Sequence, residues 1–204
     1  MKVHDVSQNT EAWEALRSSM PTASAASQLV TSTGKPSTSM KKYAAKLAQN
    51  KYAGKSVDAW KGNKHTERGH EIEPESISAY EFQAGIPTSV VGFCTDDHER
   101  YGASPDRFAG EDGLVEAKCL PERHLDALLY YKKHGKCPSE RIPQVQFQMM
   151  VCEKEWCDVL FYHPDLPMLI IRQYPDKEFV KALKIQIAEC IAERNRIFNI
   201  LKDY

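Results

Sequence analysis

A central mixed β-sheet flanked by helices, in the α/β (α+β) class, is the fold this sequence predicts, and three observations predict it. Segments of helical periodicity and β-prone segments follow one another in the order helices, strands, helices, strands, helix. A tight Gly110-Glu111-Asp112-Gly113 signal between β-prone residues marks a hairpin in the middle of the chain. The length of 204 residues, with 42% hydrophobic and 27% charged, suits one substantial domain or at most two small ones. No internal repeat or boundary divides it, so a single domain over 1–204 is expected.

The elements follow in order. Glu11 to Arg17 reads as a short helix, and Thr22-Ala23-Ser24 opens the apolar-periodic run of Ala25, Ala26, Leu29 and Val30 as an N-cap would. Gly34 to Ser39 reads as a mobile loop. Met40 to Asn50 is helical, dividing Tyr43 and Leu47 from the lysines. A second helix, Asn63 to Phe82, sets Ile72, Ser76, Ala79 and Tyr80 near one face and ends before Gly85 and Pro87. Val90 to Asp96, His98 to Ala109 and Gly113 to Cys119 form an antiparallel meander. Glu122 to Lys133 is helical and stops at Gly135, and Ser139 is placed to cap a helix running through Gln144 to Val151. Trp156 to Tyr162 and Met168 to Tyr174 are strands about a His163-Pro164-Asp165 turn. The last helix, Asp176 to Leu201, carries Phe179, Leu183, Ile187, Cys190 and Phe198 at helical spacing.

Composition excludes several classes. No run is long and apolar enough to cross a bilayer, and Met1 to Trp13 lacks the apolar core of a signal peptide, so a cytoplasmic protein is expected. The six cysteines (94, 119, 137, 152, 157 and 190) are scattered among apolar residues without a Cys-x-x-Cys pair. That suits reduced, buried thiols rather than a disulfide frame or a zinc site. The net charge of −1 hides an asymmetry: nine basic residues from Lys35 to Arg68 face only Asp58 and Glu67. The block carries +7 and leaves −8 for the rest. Such a block is either a surface that tracks a polyanion or a solvated helical face.

The chemistry concentrates in Ser104-Pro105-Asp106 to Glu116-Ala117-Lys118. Period-two alternation puts Glu116 and Lys118 on one face of a strand, and Asp106 can meet Glu116 across the hairpin. Two carboxylates bind a hard divalent cation through oxygen. The cation acidifies water and neutralises charge on a phosphodiester, while Lys118 orients or deprotonates that water. Asp with Glu-x-Lys also occurs on ordinary solvated hairpins, so other segments have to support the reading.

They do. The chain resembles the lambda-type phage exonucleases, the YqaJ-like viral recombinases of the restriction-endonuclease-like fold. The resemblance runs through Ala12-Trp13-x-x-Leu16-Arg17, Thr22-Ala23-Ser24, Gly69 to Pro74, the Asp106 to Cys119 segment and Gln144-Val145-Gln146, covering most of the chain in order. It departs in Thr31 to Ser39 and in the C-terminal helix. The resemblance implies that Asp106, Glu116 and the Ala117 carbonyl hold two Mg²⁺ ions, with Mn²⁺ able to substitute. It implies that Lys118 activates the attacking water, that Glu73 rather than Glu71 or Glu75 completes the site, and that Gln144 holds the water or scissile phosphate. Arg17, Ser24 and Ser104 match a pocket for a terminal 5′-phosphate, for which an Arg fork and hydroxyl donors are chemically apt. Lys64 matches a position beside the DNA strand.

The implied activity is 5′→3′ digestion of double-stranded DNA ends to mononucleotides, leaving 3′ single strands for recombination in a phage or prophage setting. A homotrimer ring and a single-strand annealing protein are the implied partners. Two alternatives stay open: an endonuclease or structure-specific nuclease with the same metal chemistry, and a non-catalytic DNA-binding protein on the same fold.

Overall fold

The computed structural model describes residues 1–57 and 64–204, with the side chains of 64–71, Pro121 and Glu122 outside the description. The chain runs β1 (Lys2–His4), α1 (Glu11–Arg17), a 3-10 helix (Ala23–Gln28), α2 (Met40–Ala53) and α3 (Lys64–Ala84). It continues through β2 (Thr88–Val90), β3 (Phe93–Thr95), β4 (Gly102–Ala103), β5 (Arg107–Ala109) and β6 (Gly113–Lys118). Then come α4 (Pro121–His134), a 3-10 turn (Ser139–Arg141), α5 (Ile142–Cys152), β7 (Trp156–Phe161), β8 (Leu169–Gln173) and α6 (Lys177–Lys202). The class is the one expected: a five-stranded mixed sheet, in the order β2-β5-β6-β7-β8, with helices packed on it.

Among the described strands, β6 and β7 alone pair parallel, with Glu116 level with Val159. Parallel neighbours need a long crossover, and α4 and α5 provide it. The central strand β6 is therefore covered on both faces. Leu114, Glu116 and Lys118 share one face with Cys157, Val159 and Phe161, beneath α5 and the first 3-10 helix. Val115 and Ala117 face the other way, with Leu160, toward Ile77 and Tyr80 of α3. Helices α2 and α6 close the first layer through Tyr43, Leu47, Leu183 and Ile187.

Local chemistry explains the helix ends. Asp176 caps α6 by accepting from the amides of Glu178 and Phe179, both at 3.0 Å. Gly135 ends α4 in the left-handed region at φ 63°. Gly113 is required by space: a Cβ there would lie 2.1 Å from the Trp156 ring. All six cysteines are free and buried, as expected.

The structure revises four expectations. Neither Val90 to Asp96 nor His98 to Ala109 is one strand: Val90 ends β2 of the large sheet, whereas Phe93–Thr95 forms β3 of a small one. β4 joins that small sheet, order β1-β3-β4, while β5 enters the large sheet between β2 and β6. Pro105, which has no N–H for a ladder, lies in the break. β1 was not anticipated from the sequence. Ser139 sits inside the 3-10 turn and caps nothing, and Thr22 occupies its cap position without a side-chain cap bond. The Gly34 to Ser39 loop is pinned by the Val30↔Pro36 bridge and by the Ser37 amide, which donates to the Leu29 carbonyl.

Behind the sheet, the buried Asp158 accepts from Tyr80 Oη at 2.8 Å and from Arg172 Nε and Nη2 at 2.8 and 2.7 Å. The Arg172 guanidinium also lies 3.7 Å over the Trp156 ring. Burial, together with the Asp158 carboxylate, pushes the Tyr80 hydroxyl well above its usual range. Removing one member of such a set strands the others. Asp158→Ala is expected to lower stability by about 3 kcal/mol, the low end for a broken buried pair because Arg172 is partly exposed. Urea denaturation checks this, and a loss below 1 kcal/mol would show that the network is idle.

Candidate active site

Three elements converge at one end of the central strand. The hairpin register pairs Arg107 with Val115, so Asp106 stands one residue further along, level with Glu116. Asp106 Oδ2 accepts from the Ala117 amide at 2.6 Å, which fixes its carboxylate over β6. Glu116 is buried, and three side chains satisfy its oxygens. Lys118 Nζ and Gln144 Nε2 (2.6 Å) donate to Oε1, and Gln148 Nε2 donates to Oε2 at 2.5 Å. Gln144 and Gln148 come from successive turns of α5, four residues apart and on one face.

Charge is only partly compensated here. Desolvation and the adjacent Glu116 carboxylate hold Asp106 well above the usual carboxylate range, and Lys118 offsets them only in part. Burial works to lower the Lys118 ammonium, but Glu116 and Asp106 outweigh it and the net shift is upward. A divalent cation between the two carboxylates would relieve that repulsion, and oxygen donors suit Mg²⁺. The donor set therefore fits the metal the sequence implies. Among the described residues, no three His, Cys, Asp or Glu side chains are gathered as a ready-made metal cage. Two carboxylates match Mg²⁺, which keeps several waters and completes its shell with substrate phosphate.

Glu73 reaches the same end from α3, where its Oε1 accepts from Arg107 Nη1 at 3.0 Å. That nitrogen also donates to the Asp106 carbonyl at 2.6 Å, so Arg107 ties Glu73 to the hairpin. Glu75, the rival candidate, accepts from Tyr162 Oη at 2.5 Å and is thereby engaged elsewhere. The side chains of Glu71 and Lys64 lie outside the described residues.

The expected phosphate residues are also brought together. Arg17 Nη2 donates to Ser24 Oγ at 2.7 Å, and its guanidinium stacks 4.0 Å from the centre of the Trp13 ring. Trp13 Nε1 donates to Ser104 Oγ at 2.7 Å, linking the third member. Arg17 Nε is buried without a hydrogen-bond partner in this arrangement. Ser104 lies two residues before Asp106, and Ser24 shares a cleft of about 440 Å³ with Gln144. The Arg17, Ser24 and Ser104 cluster thus adjoins the carboxylates.

Sequence reasoning missed Gln148, Arg107 and the bridging role of Trp13. The Gln144-x-x-x-Gln148 spacing carried a signal for the first; the other two depend on contacts between distant segments. Gln146, in the same motif as Gln144, points away and joins the Tyr174 carbonyl to the Asp176 amide at 2.8 and 2.9 Å.

The raised Asp106 group has a thermodynamic consequence. A carboxyl whose folded value exceeds its unfolded value of 3.8 contributes stability below that value and loses it as pH rises through the folded value. Without metal, Asp106 is therefore a liability in its ionised form. Asp106→Asn keeps an acceptor for the Ala117 amide and is expected to raise the metal-free melting temperature, by about 2–4 °C per kcal/mol relieved. An unchanged or lowered Tm in EDTA would count against the electrostatic strain.

A mixed sheet presenting two carboxylates and a lysine at a hairpin, with glutamines from the crossover helix, defines a class. The chain belongs to the YqaJ-like viral recombinase domain family, whose model matches residues 12–155. Its fold matches an alkaline exonuclease (LHK-Exo) from Laribacter hongkongensis, at 28% identity and a TM-score of 0.82, over 95% of this chain and 97% of that one. The same exonuclease in complex with dAMP matches at a TM-score of 0.81. A phage-related exonuclease from Haemophilus somnus 129PT shares the fold at 15% identity and a TM-score of 0.69, over 89% of this chain and 96% of that one. No curated protein sequence matches. Among the described residues, no helix is long and apolar enough to cross a membrane.

Proposed function

We propose that this chain acts as one Mg²⁺-dependent nuclease domain that digests the 5′ strand of double-stranded DNA ends to mononucleotides. The observation that carries this is the adjacency of two clusters: Asp106, Glu116 and Lys118 at the end of β6, and Arg17, Ser24 and Ser104 joined through Trp13. An enzyme cutting internally needs only the first; an enzyme that starts at an end also needs a seat for the terminal phosphate. The Laribacter exonuclease occurs in complex with dAMP, and a deoxynucleoside monophosphate is what this chain would release.

Asp106 and Glu116, with the Ala117 carbonyl, would hold Mg²⁺, two ions in full occupancy and Mn²⁺ as a substitute. When bound, the metal supplies Lewis acidity to the phosphoryl oxygen and lowers the pKa of water. Lys118 would then leave Glu116 for the attacking water or the developing charge, since metal replaces it as counter-ion. Gln144 would shift from Glu116 Oε1 to the water or scissile phosphate, while Gln148 keeps the carboxylate oriented. Glu73 would complete the site with Arg107 as its anchor. Arg17, Ser24 and Ser104 would bind the 5′-phosphate and fix where the first cut falls, and Lys64 would contact the strand.

A homotrimer ring is part of the proposal, with a single-strand annealing protein taking the 3′ strand. Phe82 and Val90, on α3 and the edge strand β2, are exposed apolar side chains that an interface between copies would cover. Incubating the protein with a linear duplex labelled at each end, with and without Mg²⁺, tests the activity. Mononucleotides released only from 5′ ends and only with metal are expected. Internal nicking of closed circles would favour an endonuclease, and no metal-dependent cleavage would leave a DNA-binding protein. Light scattering at working concentration should give the mass of three chains.

A further inference from the structure

We infer that Arg141, with Arg123 and Ser139, forms a second phosphate-binding subsite, across the cleft from Ser24 and next to Gln144. The inference rests on the proposed DNA-end chemistry and adds a contact that the hairpin motif does not contain. Arg141 is the residue that leads into α5, three positions before Gln144, so the turn that aims the glutamine at Glu116 also aims the guanidinium into the cleft. Its side chain is only 12% exposed, yet its Nε has no hydrogen-bond partner. The neighbouring carboxylate, Glu140, is 63% exposed and 3.9 Å away, too far and too solvated to satisfy it.

A buried guanidinium with a free donor is costly to keep unless a ligand completes it. The surroundings define that ligand. Arg123 from α4 lines the same cleft, hydroxyls of Ser24 and Ser139 lie on its walls, and the volume of about 440 Å³ is ample for a nucleotide. Glu140 is the acidic side chain that also lines it, and Glu116 beyond Gln144 is already held by three donors. Planar, bidentate recognition by arginine beside hydroxyl donors is the chemistry of a phosphate group. The phosphate is either a phosphodiester of the strand being digested or the phosphomonoester of the released mononucleotide. A lysine at 141 would keep the charge but lose the fork, so Arg141→Lys is expected to recover only part of the binding.

The test compares wild-type protein with Arg141→Gln and Arg141→Lys. Binding to a 5′-phosphorylated duplex is measured in EDTA at several salt concentrations, and binding of thymidine 5′-monophosphate against thymidine by calorimetry. Loss of one phosphate contact is expected to reduce the slope of log K against log salt by about 0.7–0.9 in Arg141→Gln. A reduced slope with unchanged mononucleotide affinity assigns the subsite to the DNA strand. A fall of tenfold or more for the monophosphate, but not for thymidine, assigns it to the product. Unchanged slope and unchanged monophosphate affinity in a folded variant would overturn the inference and make Arg141 a packing residue. If Arg141→Gln does not melt cooperatively, Arg123→Gln, at an exposed position, carries the same comparison with the same criteria. Mg²⁺-dependent digestion by the wild type is scored in parallel. Its absence together with an altered salt slope would remove the exonuclease reading and leave the subsite standing.

Discussion

Asp106→Ala is expected to abolish metal-dependent cleavage while leaving DNA binding and folding intact. Asp106 and Glu116 are the two carboxylates that face each other over the end of β6, and the loss of either leaves a cation with only one of them. Lys118→Ala should lower the rate by about 10²–10³-fold, the usual effect of deleting one charged or hydrogen-bonding group aimed at developing charge. Gln148→Ala should cost about 10–100-fold, because Glu116 would lose the donor that orients its second oxygen. The order Asp106, Lys118, Gln148 separates a metal ligand, a group acting on water or phosphate, and a positioning residue. Single-turnover digestion of a labelled duplex measures all three. Activity near wild type in Asp106→Ala would reject the site outright.

A duplex with 5′-phosphate ends should be digested faster than the same duplex with 5′-hydroxyl ends, and Arg17→Ala should erase most of the difference. Arg17 is held by Ser24, by the face of Trp13 and weakly by Glu14 at 3.4 Å. It is thus presented as a fixed fork with its Nε unsatisfied. A bound dianion would draw on a charge-assisted pair, stronger than the neutral contacts it displaces. Trp13→Phe separates stacking from hydrogen bonding, since it keeps a ring under Arg17 but releases Ser104. It should weaken the phosphate preference less than Arg17→Ala does. Competition between the two duplexes in one tube gives the ratio directly. Equal rates for both ends in the wild-type protein would remove the reason for an end pocket.

Much of this site is legible in the chain. The Gly110 to Gly113 turn fixes the hairpin; the hairpin fixes Asp106 level with Glu116, and Lys118 follows two residues on along the same strand face. This works because register in a short hairpin is set locally, by a turn and a period of two. Helix positions were equally legible: α1 matches its expected range, and α2, α3, α4 and α6 differ by a few residues at their ends. The meander was not legible, because strands of two or three residues carry little pattern and Pro105 divides what looks like one run. Gln148 escaped for a different reason. A buried glutamine looks like any other until the carboxylate it serves is known to lie 32 residues away in sequence and 2.5 Å away in space.

The sequence by itself determined the carboxylate pair, the lysine beside it and the alternation of helices with strands, all of which depend on neighbours within a turn or two. Only the tertiary structure decided which distant groups serve that pair. It joined Trp13 to Ser104, Glu73 to Arg107, and the two α5 glutamines to Glu116, and it set Arg141 in the cleft beside them with its Nε free of hydrogen bonds. The physical reason is that local periodicity orients a side chain, whereas its partner is chosen by how layers stack. In this fold the parallel pairing of β6 and β7 forces the chain through α4 and α5, and that crossover carries the glutamines and both arginines to the end of the strand where the carboxylates wait.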